Sequence, residues 1–126
     1  MLQEVHTDKA PAAVGPFSQA IRTGNLLFVS GALPIDPATG EFNSEDPVAQ
    51  AQQCLRNIAA IAEAGGTSLS NTVKTTVLLT DLGAFADINA AYATFFEKPY
   101  PARACYQVAA LPKGAKVEIE AVIAIP

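Results

Sequence analysis

PARACYQVAALPKGAKVEIEAVIAI, residues 101–125, is the stretch whose reading decides the fold. Ala102, Ala104, Tyr106 and Val108 alternate with Arg103, Cys105 and Gln107, the period-two pattern of a strand. Val117, Ile119, Ala121, Ile123 and Ile125 then alternate with Glu118, Glu120, Val122 and Ala124. Between the runs, Leu111-Pro112-Lys113-Gly114 supplies turn chemistry. The expectation is a pair of strands joined by a tight turn. It sets a lone arginine, Arg103, near an acid of the next strand, Glu120.

Working outward, residues 1–7 read as a short edge strand, and Pro11, Gly15 and Pro16 mark an irregular loop. Residues 17–22 and 26–30 read as a hairpin about Thr23-Gly24-Asn25. LLFVS at 26–30 is apolar on both faces, as in a central strand. A long loop follows, with Pro34, Pro37 and Gly40. Asp46-Pro47 is an N-cap with proline at the first helical position. Val48, Ala51, Cys54, Leu55, Ile58, Ile61 and Ala62 recur at helical spacing until Gly65-Gly66 stops the helix. Residues 73–80 read as a strand with Val73, Thr75, Val77 and Leu79 on one face. Asp81 caps a second helix with a stripe of Phe85, Ile88, Tyr92 and Phe95 or Phe96. The chain is thus one domain over residues 1–126, an α+β (α/β sandwich) fold with two helices packed on one face of a mixed sheet. Two helices cover only one face, so the other calls for a partner subunit.

Composition points the same way. Half of the 126 residues are hydrophobic and only 16% are charged, against roughly 25% in an average soluble domain. No apolar run approaches the ~20 residues of a spanning helix, and no leader pattern opens the chain. A cytoplasmic protein without a membrane partner is expected. The net charge is −4 and the eight Lys and Arg are scattered, which argues against nucleic acid as a partner. Two cysteines without CxxC spacing and one histidine make neither a metal site nor a histidine-centred triad. No cofactor motif such as GxGxxG is present.

Several residues invite a chemical role, each beside a plainer one. The Arg103 fork suits bidentate capture of a carboxylate; the plainer role is an ion pair with a surface acid. Glu120 sits between apolar neighbours where it can hold or activate a water, or simply pair with Arg103 or Lys116. Cys105 shares a strand face with Arg103, but lacks a base and reads better as a small hydrophobe. Asn89 lies at the edge of the second helix's stripe and must satisfy its amide, most simply on nearby backbone. Ser30 and Gly31 end a buried strand, where glycine permits a close ligand approach or just a turn. Phe17 offers an aromatic wall or an ordinary core side chain.

GPFSQA at 15–20, VSG at 29–31, VKTTV at 73–77 and PARACYQVAALPKGAKVEIEA at 101–121 together resemble the RidA family, the YjgF-like enamine and imine deaminases. The resemblance runs from about Ala10 to Ile125. It implies a chorismate-mutase-like fold and a homotrimer with a central β-barrel and sites in the clefts between subunits. It further implies cofactor-free hydrolysis of 2-aminoacrylate, 2-iminobutyrate and related 2-imino acids to 2-keto acids and ammonia. On the matching positions, Arg103 would hold the substrate carboxylate and Glu120 the attacking water. Ser30, Gly31, Asn89 and the Cys105 backbone would line the pocket. Phe17 stands where the family often has tyrosine, so an aromatic wall survives but a phenol proton does not.

Other roles fit the residues less well. A trimer that binds small carboxylates without turnover would use the same arginine, but has no need of Glu120. A ribonuclease is disfavoured by the acidic balance and the lack of an active-site histidine. Chorismate mutase activity would need two carboxylates held, with only Arg22, Arg56 and Arg103 available; fold likeness alone does not carry function.

Overall fold

A computed structural model describes all 126 residues. Six strands form one mixed sheet: β1 (Gln3–Val5), β2 (Ala20–Thr23), β3 (Leu26–Ala32), β6 (Thr72–Leu79), β7 (Ala102–Gln107) and β8 (Val117–Ala124). Their order across the sheet is β1-β2-β3-β8-β6-β7. The loop after β3 holds a small separate ribbon, β4 (Ile35–Asp36) and β5 (Glu41–Phe42), which the sequence reading passed over. Gly40, at φ +77°, lies in the turn of that ribbon. Strand β2 begins at Ala20, so Phe17 lies in the preceding loop rather than in a strand.

Helices α1 (Pro47–Ala64) and α2 (Phe85–Ala93) pack side by side on one face. Asp46 caps α1 as its sequence predicts: Ala49 N–H donates to Asp46 Oδ2 at 3.0 Å. Asp81 caps a 3-10 turn, Leu82–Ala84, that leads into α2. The core lies between helices and sheet. Leu55 and Ile58 of α1 meet Leu27, Val77, Val117, Ile119 and Ile123 of the sheet, all fully or nearly fully buried. Each such side chain contributes about 1.5–3 kcal/mol by leaving water.

Two expectations need correction. Residues 102–107 and 117–124 are not adjacent strands. Strand β6 lies between them, parallel to β7 and antiparallel to β8. The connection through residues 108–116 crosses over β6 instead of making a hairpin. Val73 also leaves the face it was assigned. An irregularity between Thr72 and Lys74 turns it outward, while Thr75, Val77 and Leu79 stay buried. The face away from the helices carries Phe28 and Tyr106 at 45% and 51% exposure. No helix is long and apolar enough to cross a membrane.

Replacing Asp46 with alanine leaves the Ala49 N–H without its side-chain acceptor and removes the cap of the longer helix. Asp46→Ala is expected to lower unfolding stability by about 1 kcal/mol. Urea denaturation followed by circular dichroism measures the loss; an unchanged midpoint would show that the cap contributes nothing.

Candidate active site

The sheet register separates the candidate residues. Arg103 pairs with Thr75, whose side chain is buried beneath α2. Glu120 pairs with Thr76, one residue on and therefore on the opposite face. Strands β7 and β8 are two inter-strand spacings apart, about 9.6 Å. Arg103 and Glu120 thus lie on different faces of one chain and do not meet within it.

Arg103 is held by α2. Its Nη1 donates to Asn89 Oδ1 at 2.7 Å. Its guanidinium carbon sits 4.9 Å from the Tyr92 ring centre and 5.5 Å from that of Phe85. Phe85, Asn89 and Tyr92 fall at helical spacings of four and three, so one face of α2 makes the whole cradle. Tyr92 is fixed in turn by a 2.7 Å hydrogen bond between its hydroxyl and that of Thr75. The ion pair considered for Arg103 does not form: the chain's one ion pair joins His6 and Asp8. The backbone bond considered for Asn89 gives way to Arg103. A cavity of about 460 Å³, lined by Asn89, Tyr92, Tyr100 and Arg103, opens at this edge. Cys105 lies behind it against the core. Burial raises its thiol pKa while Arg103 pulls the other way, so this is not an activated thiolate.

The other half lies at β3. Val29 pairs with Ala121 and Ala32 with Ile119, so β3 spends one more residue than β8 over this interval. The extra residue is a β-bulge at Ser30-Gly31, opposite Glu120. Ser30 is pinned there, its hydroxyl donating to Ser18 O at 2.6 Å and its N–H to Gln19 O at 3.0 Å. A bay of about 640 Å³ opens beside the bulge, lined among others by Phe17, Ser30, Gly31, Lys113, Glu118 and Glu120. Phe17 is 53% exposed at its mouth, a wall rather than a core residue.

Sequence reading missed the groups that shape this bay. Gln19 is buried and binds the loop before it: Thr7 N–H donates to its Oε1 at 2.8 Å, and its Nε2 donates to Pro11 O at 2.8 Å. Asn57 donates to Leu33 O at 3.1 Å and Ile35 O at 2.9 Å, fixing the chain after the bulge. For Asn57, a polar residue at a buried position of α1 was the available signal. Glu118 was also overlooked as a site residue. It is half-buried and faces the bay with Glu120. A Cβ on residue 31 would overlap its carboxylate, so Gly31 is the residue that lets the carboxylate lie against backbone. No cluster of three or more His, Cys, Asp or Glu that could hold a metal is present.

Burial raises the Glu118 carboxyl pKa, and the nearby Glu120 adds to it. The folded protein therefore holds this proton more tightly than the unfolded chain, and wild type loses stability as pH rises from 4.5 through the raised value. Glu118→Gln removes the penalty. Its melting temperature should exceed that of wild type at pH 7–8, with the gap closing below pH 4.5. Thermal melts from pH 4 to 8 test this; a gap independent of pH contradicts it.

Comparison with known proteins places the chain in a family. The family model described as Endoribonuclease L-PSP matches residues 7–125. A RutC family protein of Sinorhizobium fredii is 71% identical over 125 residues, covering 99% of both chains. The 2-iminobutanoate/2-iminopropanoate deaminase of Mus musculus is 47% identical over 118 residues, covering 94% of this chain and 87% of its own. The crystal structure of RidA from the Antarctic bacterium Psychrobacter sp. superposes with a TM-score of 0.94 at 53% identity, covering 98% of this chain and 99% of that one. With the mixed sheet, the two helices and the motif strands where that fold has them, the chain belongs to the RidA/YjgF family.

Proposed function

We propose that this protein is a homotrimeric, cofactor-independent deaminase that hydrolyses 2-imino acids of the 2-aminoacrylate and 2-iminobutyrate type to 2-keto acids and ammonia. The observation that carries the reading is Arg103: one nitrogen is anchored on Asn89, two aromatic rings flank the guanidinium, and no acid neutralises it. An orientated, unpaired guanidinium suits a small carboxylate. A 2-imino acid has its carboxylate and its electrophilic carbon one bond apart. A site using both Arg103 and Glu120 therefore needs two copies, with Arg103 of the partner subunit brought to the bay that holds Glu120. The exposed Phe28 and Tyr106 of the open face support such an assembly.

The chemistry asks little of the protein. The enamine gains a proton at carbon and becomes the imine. Water adds to the imine carbon, and the resulting aminoalcohol collapses to ketone and ammonia. Arg103 fixes the carboxylate and so the position of the reacting carbon. Glu120 holds the water and takes its proton. Ser30 and Gly31 offer backbone at the bulge, Asn89 steadies Arg103, and Phe17 closes the mouth as an apolar wall. Cys105 takes part only through its place on the Arg103 strand. The carboxyls of Glu118 and Glu120 disfavour an RNA phosphodiester in the same bay, so RNA cleavage is not expected.

A coupled assay tests this. Threonine or serine dehydratase generates the enamine, and keto-acid release is timed with and without this protein. Arg103→Ala should lower catalytic efficiency between about tenfold and a thousandfold, because it removes one or two charged hydrogen bonds of about 1.5–3 kcal/mol each. Arg103→Lys should restore only part, since an ammonium keeps the charge and loses the fork. Undiminished turnover in Arg103→Ala would mean the carboxylate is held elsewhere. Cys105→Ala should retain most activity; loss as deep as that of Glu120→Ala would point to a nucleophilic thiol. Light scattering on a sizing column should give the trimer mass, and a monomer at micromolar concentration would sink the shared site.

A further inference from the structure

On its buried face β6 carries Thr75, Val77 and Leu79, none more than 2% exposed, and only the threonine brings a polar atom there. We propose that Thr75 and Tyr92 are positioning residues of the site: their hydroxyl pair fixes the tilt of the Tyr92 ring, and the ring fixes the Arg103 guanidinium before a carboxylate arrives. This assignment rests on the deaminase reading and deepens it.

A buried hydroxyl is costly unless it is hydrogen-bonded. The Thr75 hydroxyl is satisfied by that of Tyr92 at 2.7 Å, and Tyr92 is itself buried. Valine and phenylalanine would fill the same space with no polar atom to satisfy, and such a paired replacement is close to neutral or stabilising. Stability therefore gives no reason for the two hydroxyls. What their bond fixes is direction. Thr75 is the ladder partner of Arg103, so the Tyr92 ring reaches from α2 to β6 with the arginine alongside. Phe96 packs on the same ring, 4.8 Å between centres and tilted by 41°. Held at its hydroxyl and its flank, the ring lies 4.9 Å from the guanidinium carbon. Burial raises the Tyr92 phenol pKa, although Thr75 and Arg103 pull it down, so a neutral ring meets the cation through its π face. The helix is tied to the edge strand as well: Leu82 N–H donates to Gln107 Oε1 at 2.9 Å, at the far end of β7.

Arg103 is exposed on a sheet edge and joins no ion pair. An unheld arginine there would sample many rotamers and lose that freedom on binding a carboxylate. The cradle removes the freedom beforehand. Asn89 takes one nitrogen, and the Tyr92 ring sets the plane of the fork. The plane matters because a guanidinium binds a carboxylate edge to edge within it. Turning the fork turns the carboxylate, and the reacting carbon one bond away moves with it. Thr75 thus acts on the substrate through two intermediaries and touches none of its atoms.

The test is the double variant Thr75→Val, Tyr92→Phe, which keeps the shape and the ring and removes both hydroxyls. Thermal melts, the coupled assay and calorimetric binding of 2-ketobutyrate are run beside wild type. The melting temperature should not fall. The affinity for 2-ketobutyrate should drop about three- to tenfold, and KM should rise by a similar factor with kcat changed less. Thr75→Ser, which keeps a hydroxyl, should bind close to wild type. In an Arg103→Lys background the double replacement should change affinity less than twofold, because an ammonium has no plane to set. A double variant that melts lower and binds as wild type does would confine the hydroxyls to stability and overturn the proposal. An equal loss of affinity in the Arg103→Lys background would also overturn it, since the effect would not pass through the guanidinium. If wild type binds 2-ketobutyrate but releases no keto acid above the uncatalysed rate, the deaminase reading falls and the binding comparison still decides this assignment. If wild type does neither, both fall. Should the double variant not fold, nitrogen-15 NMR of wild type decides: rotation of the Arg103 guanidinium should be hindered, and free rotation overturns the proposal.

Discussion

The parallel ladder between Thr72–Leu79 and Ala102–Gln107 is the constraint from which the placement of every candidate group follows. Once β6 lies between β7 and β8, Arg103 becomes a residue of a sheet edge and Glu120 a residue of the interior. The pleat then does the rest. Thr75 and Thr76 are consecutive, so their partners Arg103 and Glu120 must point to opposite faces. A parallel neighbour also requires a crossover, and α2 is that crossover. The same helix that makes the ladder possible therefore supplies Phe85, Asn89 and Tyr92 to hold the arginine. Edge strand, helix and cation form one unit, and it is oriented away from the chain's own acid.

An edge strand with a charged fork and exposed Tyr106 is a surface in need of a neighbour. So is the open face with Phe28. A monomeric domain with these features would bear unpaired backbone and an uncovered apolar patch. The assembly proposed above would solve a packing problem and a chemical one together, because a second copy would bridge the separation that prevents a site within one chain. The low charge content of the sequence points the same way.

Much of this was legible in the residues, and the limits are physical. Alternation assigned the faces of β8 correctly, because one face is buried and a one-residue slip would expose Ile119 and Ile123. Asp46-Pro47 and Gly65-Gly66 bounded α1 because caps and stops act locally. What local pattern does not encode is which strand lies beside which. The Arg103 and Glu120 strands were expected side by side because they are consecutive. Yet the connection through residues 108–116 is longer than the about 2–5 residues of a hairpin loop, and that length was the signal against a hairpin. The bulge at Ser30-Gly31 escaped for a related reason. It exists only relative to β8, so no reading of β3 alone could find it. Gln19 and Asn57 were hidden similarly, since their partners are backbone carbonyls and amides of distant loops.

The bulge explains why a bay opens there at all. A regular ladder through Ser30 and Gly31 would bind their backbone groups to β8 and leave nothing for a ligand. One extra residue breaks that pattern opposite Glu120. Ser30 answers by bonding back to Ser18 and Gln19, which keeps the break from spreading. Gly31 then gives the space that a side chain would fill, and Glu118 takes it. A half-buried carboxyl pressed on backbone is costlier to ionise than one in open water, and the Glu118 pKa is raised accordingly. Glu120, two residues on, stands in the open. A single inserted residue thus breaks the ladder at one spot and gives two acids of one strand different surroundings, Glu118 pressed into the space beside Gly31 and Glu120 open to solvent.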